Sequence, residues 1–227
     1  MRDSGTQEVM GKLEWCGLGA QLEMAYVARK GGRIMLMDLV KTRYPKSFQL
    51  RDGTSVTIRP MVSSDEKGLL SFFRAIPPED RLFLKDDVSK AEVISTWCRN
   101  LDYERILPIV SEAKGGLVAD ATLHRRQTGW MRHVARVRVV IAPAYRGKGL
   151  GTVLINELIA IAEETDLEKM EVELMVDQNT AISAFRSLNF SPVAVFPEHV
   201  KDISGKRHDL MVLVRDLTPR EEIETSY

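Results

Sequence analysis

Residues 146–152, Arg146-Gly147-Lys148-Gly149-Leu150-Gly151-Thr152, combine three glycines at alternate positions with two cations. Glycine adopts positive φ without steric cost and lets backbone approach a ligand closely. An apolar run, Val137-Arg138-Val139-Val140-Ile141, precedes the segment, and a helical pattern over 153–162 follows it. Strand, glycine turn and helix make an anion site. The first N–H groups of the helix have no intrahelical partner, and its dipole makes that end positive. Backbone donors converging there suit a pyrophosphate, and Arg146 and Lys148 add mobile positive charge.

Two nucleotide loops are excluded by spacing. A P-loop needs Gly-Lys followed by Ser or Thr, whereas Gly147-Lys148 is followed by Gly149. A dinucleotide fingerprint needs G-x-G-x-x-G early in a βαβ unit, and Gly147-x-Gly149-x-Gly151 differs in spacing and lies late in the chain. The pattern Arg146-x-x-Gly149-x-Gly151, after Ile141-Ala142-Pro143-Ala144-Tyr145, resembles motif A of the GNAT family of N-acetyltransferases. A second stretch, Asn179-Thr180-Ala181-Ile182-Ser183-Ala184-Phe185-Arg186-Ser187-Leu188-Asn189-Phe190, is similar to the family's motif B, N-x-x-A-x-x-x-Y-x-x-L-G-F. Phe185 stands at the Tyr position and Asn189 at the Gly. Asn is the next best residue for a left-handed helix end; Phe185 lacks the phenol that often serves as general acid. The resemblance spans residues 56–217, its motifs 134–190.

The resemblance implies acetyl-CoA as cosubstrate, with no metal. It assigns the binding of acetyl-CoA to the backbone of Val139, Val140 and Ile141, to Arg146, Gly147, Lys148, Gly149, Leu150, Gly151 and Thr152, and to Asn179 and Phe185. It implies an α/β fold, a mixed and mostly antiparallel central sheet of about six to seven strands with helices on both faces.

The elements agree with that layout. Asp52-Gly53 is a turn signal before the β-rich run 55–59, and Ser63-Ser64-Asp65-Glu66 starts a helix. A further helix is expected over 90–100, strands over 106–110 and 117–123 joined through Gly115-Gly116, and a strand over 133–141. Helix 152–165, strand 170–176, helix 179–188 and strands 193–196 and 208–215 complete the order. Residues 1–47 read as an N-terminal extension outside the domain, with Met37 as an alternative start. Residues 48–217 read as the acetyltransferase domain, and 218–227 as a polar tail.

Composition bounds the function class. The chain has 227 residues, 44% of them apolar, enough for one sizeable core. Its 32 basic and 32 acidic residues balance, which gives no electrostatic case for nucleic acid or an anionic membrane. Cys16 and Cys98 match no metal or redox spacing and suit a reducing, cytoplasmic setting. No run reaches membrane-spanning length. The expected partners are acetyl-CoA and an amine acceptor, with a homodimer left open.

Acyl transfer to an amine requires a proton acceptor, because an alkyl amine with a pKa near 10.4 is almost wholly protonated at pH 7. Many family members carry a Glu on the strand before the loop; here 134–138 reads Val-Ala-Arg-Val-Arg, with no acid. Glu173 is the candidate base, sharing a face with Glu171 by period two. The alternative is a charge ladder of Arg136 and Arg138 with Glu171 and Glu173. Asp120 and His124, on the strand 117–124, are further candidates. With Phe185 in place of Tyr, water is left to protonate the thiolate. Three functions remain open: an N-acetyltransferase acting by direct transfer in a ternary complex, a catalytically weak acyl-CoA-binding module, and a scaffold half of a larger acyltransferase.

Overall fold

The computed structural model describes residues 36–217, apart from Phe83, Asp166 and Ile203. The expectations for residues 1–35 and for the tail from 218 onward lie outside them. The chain opens with helix α1 (Leu36–Arg43) and strand β1 (Lys46–Gln49), followed by β2 (Ser55–Pro60). Three helices come next: α2 (Glu66–Ala75), the single turn α3 (Pro78–Arg81) and α4 (Ala91–Arg99). The rest alternates as β3 (Ile106–Ala113), β4 (Gly116–His124), β5 (Val134–Ile141), α5 (Leu150–Glu164), β6 (Lys169–Met175), α6 (Asn179–Arg186), β7 (Ser191–Lys201) and β8 (Arg207–Asp216).

Among the described residues the strands form one eight-stranded sheet in the order β1-β2-β3-β4-β5-β6-β8-β7. All neighbours are antiparallel except β5 and β6. The two-residue turn between β3 and β4, Lys114-Gly115, has φ of 50° and 78°. Both positive values match the turn whose twist suits a hairpin. Among the described residues no helix is long and apolar enough to cross a membrane.

Alternate residues of each strand feed two cores. Ile109, Val139 and Ile141 pack with α1 and α5 on one face, where Leu154, Leu158 and Ile161 are buried. Val110 and Val140 face α2 and α4, against Leu69, Phe73 and Ile94. The 3.6-residue spacing of Leu69, Phe72, Phe73 and Ile76 explains why α2 lies on the sheet by one stripe.

The expected domain boundary at 47/48 falls inside β1, which pairs Lys46–Gln49 with Ile58–Ser55. The extra strand accounts for eight strands rather than six or seven. Leu36 is fully buried, and Val40 and Tyr44 join the same core. Glu157 of α5 fastens this segment. Its carboxylate accepts from Arg43 Nε at 3.2 Å, Lys46 Nζ at 2.9 Å and the Tyr44 hydroxyl at 3.1 Å. Arg43 also reaches Glu164 at 2.7 Å. Burial pushes the Glu157 carboxyl up, but Lys46 and Arg43 outweigh it and hold its pKa below the ordinary value.

A chain starting at Phe48 should therefore lose its thermal midpoint by more than about 10 °C, since each buried side chain removed is worth about 1.5–3 kcal/mol. Glu157→Ala should cost about 2–4 kcal/mol at pH 7, because two partly buried cations lose their partner. A folded pKa below the unfolded one stabilises above the unfolded value and is lost as pH falls through the folded one. The deficit of Glu157→Ala should thus shrink below about pH 4, as thermal melts across pH will check.

Candidate functional site

The parallel pairing of β5 and β6 is short. Val134, Ala135 and Arg136 face Lys169, Met170 and Glu171, and there the pairing stops. Beyond it β5 stays with β4 as far as Ile141, and β6 with β8 as far as Met175. Each strand follows its own neighbour, and right-handed twist carries the two apart. A cleft opens in mid-sheet. Successive residues of a strand aim their N–H and C=O groups to opposite sides, so every second residue of 137–141 offers unpaired backbone to it.

The glycine segment crosses the end of that cleft. Gly147 and Gly149 have φ of 72° and 92°, a region open to glycine but strained for other residues. Gly149 caps α5, its carbonyl accepting from Val153 at 3.1 Å. At Gly151 a Cβ would meet Ile141 Cδ1 at 3.1 Å, so a larger residue requires the Ile141 side chain to shift. Among the described residues, the N–H groups of Gly147, Lys148 and Gly149 donate to no backbone carbonyl. These donors and the first turn of α5 form the anticipated anion cradle.

The two cations are not mobile. Arg146 donates to Ile141 O at 3.0 Å and pairs with Asp80 at 2.7 Å. Lys148 pairs with Asp52 at 2.8 Å and lies 5.5 Å from the Tyr145 ring centre. Their carboxylate partners sit in the α3 turn and in the β1–β2 turn that Asp52-Gly53 signalled, and neither was marked in the sequence as a partner of these cations. Thr152 follows on the first turn of α5, after the buried Leu150. Asn179 begins α6 on the exposed surface, its N–H on Asp177 O at 3.0 Å.

On the α2 and α4 side the cleft widens into a cavity of about 150 Å³. Phe73, Trp97, Asp120, Arg138, Glu173 and Phe185 contribute to its wall. Phe185 is buried and stacks edge-on to Phe190, centroids 5.1 Å apart. Asn189 takes φ of 63° and ends the α6 segment in the left-handed conformation its type allows.

Glu173 lies at the cavity, but it is ion-paired. Arg136 bridges Glu171 and Glu173, each at 2.9 Å, and Lys85 closes on Glu173 from before α4. Burial raises the Glu173 pKa, and the cations Lys85, Arg136 and Arg138 more than reverse it. A carboxylate held below its ordinary range is a weak base. The ladder of Arg136 with Glu171 and Glu173 therefore forms as anticipated, whereas Arg138 turns instead to Asp86 at 3.3 Å.

Asp120 differs. It is buried, only 8% exposed, and its register partners Val110 and Val140 belong to the core under α2 and α4. Burial raises its pKa to about 7, against the smaller opposing effects of Thr122 and Arg138. His124, on the same face, is pushed down to about 4 by burial and by the charges of Arg138, Arg136 and Lys85. Period-two spacing of Asp120, Thr122 and His124 was the only signal of this polar stripe in the sequence.

Residues 71–190 match the family model described as Acetyltransferase (GNAT) family. YwnH of Bacillus subtilis (strain 168), provisionally named a phosphinothricin acetyltransferase, is 30% identical over 84 residues, 37% of this chain and 51% of YwnH. YobR of the same strain, named an uncharacterized N-acetyltransferase, is 32% identical over 63 residues, 28% of this chain and 26% of YobR. The chain thus spans about half of the length of one of these curated relatives and about a quarter of the other. The GNAT domain of S. lividans PAT superposes with a TM-score of 0.65 at 18% identity, covering 76% of this chain and 96% of that one. The yncA protein of Salmonella typhimurium, provisionally an acetyltransferase and solved with its cofactor acetyl-CoA, gives 0.62 at 21% identity, covering 72% and 95%. At these identities the likeness is one of fold.

A folded pKa raised above the unfolded value stabilises fully below the unfolded pKa, and that stability is lost as pH rises through the folded one. For Asp120 the window runs from 3.8 to about 7. Asp120→Asn cannot ionise, so its stability should gain on the parent's by a few kcal/mol, on the order set by one pKa unit being 1.36 kcal/mol, between pH 4 and pH 8. Thermal melts at the two pH values will read the difference.

Proposed function

The chain belongs to the acetyltransferase (GNAT) family, and from that premise we propose that it transfers the acetyl group of acetyl-CoA to a primary amine, directly within a ternary complex. The observation that carries this reading is the parting of β5 and β6 directly beside the glycine segment. An extended acyl-pantetheine arm can lie in the cleft as a strand would, pairing with unpaired backbone of 137–141. Its pyrophosphate meets the amides of Gly147 to Gly151, with Arg146 and Lys148 beside it.

The amine enters from the opposite side of the sheet, through the cavity under α2 and α4. There it meets polar groups on β4, β5 and β6 while the thioester comes from the cleft, so neither substrate blocks the other. Small amines, amino acids and protein lysines all present the required group, and the cavity walls of Arg138, Glu173 and Asp120 accept a polar one. The product thiol has a pKa near 8.5 and leaves readily as thiolate, consistent with a wall of Phe185 that offers no proton. The two unmatched cysteines support a cytoplasmic site of action.

A second reading, an acyl-CoA-binding module with weak chemistry, draws on Phe185 in place of Tyr and on Arg136 in a strand that lacks an acid. Acetylation of an amine panel, read by mass spectrometry, separates it from the first.

Binding tests both. Gly149→Gln puts a side chain on a residue at φ 92° and in the cradle, and should weaken acetyl-CoA binding tenfold or more, about 1.4 kcal/mol. Arg146→Ala should weaken it less, since the amides and the helix dipole remain. Titration calorimetry on variants with unchanged far-ultraviolet spectra will measure this. Unchanged affinity in Gly149→Gln would sink the cradle.

A further inference from the structure

We propose that Asp120 is the group that accepts the proton of the attacking amine; the assignment rests on the acetyl-transfer reading given above. Position along the strands singles it out. The cleft opens beyond Arg136, and Asp120 lies opposite Val140, well into the open stretch. His124 lies opposite Arg136, where β5 and β6 still pair. At about 3.3 Å per residue the two are roughly 13 Å apart along β4. Only Asp120 therefore stands level with the place where an acyl group in the cleft and an amine in the cavity would meet.

Chemistry selects the same residue. Glu173 shares the cavity but is closed by Lys85 and Arg136. Asp86 is closed by Arg138 and Asp80 by Arg146. Asp120 makes no ion pair among the described residues, and its hydrogen bond, from the Thr122 hydroxyl, is long at 3.4 Å. A buried carboxylate without a cation is costly to keep, and such groups concentrate where a reaction uses them.

The groups around it come from its own strand, the neighbouring strands, the segment before α4 and α4 itself, with Asp65 and Glu66 at the start of α2 acting on Cys98 as Asp120 does. Thr122 and His124 share its strand, Arg136 and Arg138 stand on β5, Glu173 on β6, Lys85 and Asp86 precede α4, and Cys98 faces it from α4. His124 is held too acidic to take a proton at neutral pH. The carboxyl of Asp120, near 7, is matched to that task.

The step balances. Asp120 takes one proton from R–NH3+, and the freed lone pair attacks the thioester carbonyl carbon. The C–N bond forms and the C–S bond breaks. The nitrogen's second proton neutralises the thiolate, and Asp120 returns the first to water. The sum is an amide, a thiol and one released proton.

Two nucleophile probes test the assignment. Ethylamine is protonated at pH 7 and needs a base; hydroxylamine is already neutral and does not. Asp120→Asn should lower kcat toward ethylamine at least 100-fold, with KM changed less than about threefold, and leave hydroxylamine within about threefold. Asp120→Glu should recover part of the ethylamine rate. The parent's rate with ethylamine should fall as pH drops below about 7, and an infrared band of a protonated carboxyl should vanish between pH 5 and 9 in the parent and be absent from Asp120→Asn. Equal loss toward both probes means a structural role and overturns the proposal, as does an unchanged rate toward both. A parent that binds acetyl-CoA but acetylates neither probe nor any amine of the panel overturns the acetyl-transfer reading itself. A carboxyl ionised throughout that pH range overturns the proposal alone.

Discussion

The rest of the site depends on the place where β5 and β6 stop sharing hydrogen bonds. Three paired positions hold the strands together, and each then follows a different neighbour. Buried backbone N–H and C=O groups are almost always satisfied, so an opening inside a sheet requires either water or a partner that resembles a strand. The glycines at the end of β5 are set by the same opening. They turn the chain out of the cleft and bring α5 back against β5 closely enough that a Cβ at Gly151 would meet the tip of Ile141 at 3.1 Å. Cleft, turn and helix terminus are one geometric solution rather than three features.

The two faces of the sheet handle charge differently. On the side of the glycine segment, each cation has its own carboxylate, as Arg146 has Asp80 and Lys148 has Asp52. Those surface pairs are individually weak, and an arriving phosphate can exchange with them at little expense. On the α2 and α4 side, charges are crowded around the cavity. Arg136, Arg138, Lys85, Glu171, Glu173 and Asp86 neutralise one another, and among the described carboxylates of the cavity wall Asp120 alone stands outside the network. The ion pairs thus fix which acid is available as well as holding β5, β6 and the approach to α4 in place.

Much of this was legible in the residues. The glycine segment, its flanking strand and helix, and the α6 motif lie where their spacing placed them, and every expected strand from 106 onward is present. The failures have identifiable causes. β1 is a four-residue edge strand, Lys46-Ser47-Phe48-Gln49, too short for alternation to stand out. α1 has only eight residues and owes its place to Leu36, Val40 and a distant carboxylate. β7 runs over eleven residues rather than four and takes in Pro192 and Pro197, which an edge strand tolerates. The ladder of Glu173 with Arg136 was legible, but its second cation was not, because Lys85 is 88 residues away in sequence. Asp120 read as one acid in an apolar run; only the register with Val110 and Val140 reveals what surrounds it.

The Glu157 cluster bears on the order in which the chain acquires its structure. Arg43, Tyr44 and Lys46 precede their shared carboxylate by 114, 113 and 111 residues. β1 and β2 can close a local hairpin early, yet the ionic clasp over it must wait. At a synthesis rate of about 5–20 residues per second, that wait lasts on the order of ten seconds. During it Leu36 and Val40 have no finished surface to cover them, and three polar groups remain in water. A segment that leaves the ribosome long before its partner is therefore among the last to be locked, and long-range closure of this kind slows folding. Maturation of the amino-terminal edge is tied to arrival of the helix that begins at the glycine segment, so the edge cannot be secured before the element that caps the cleft exists.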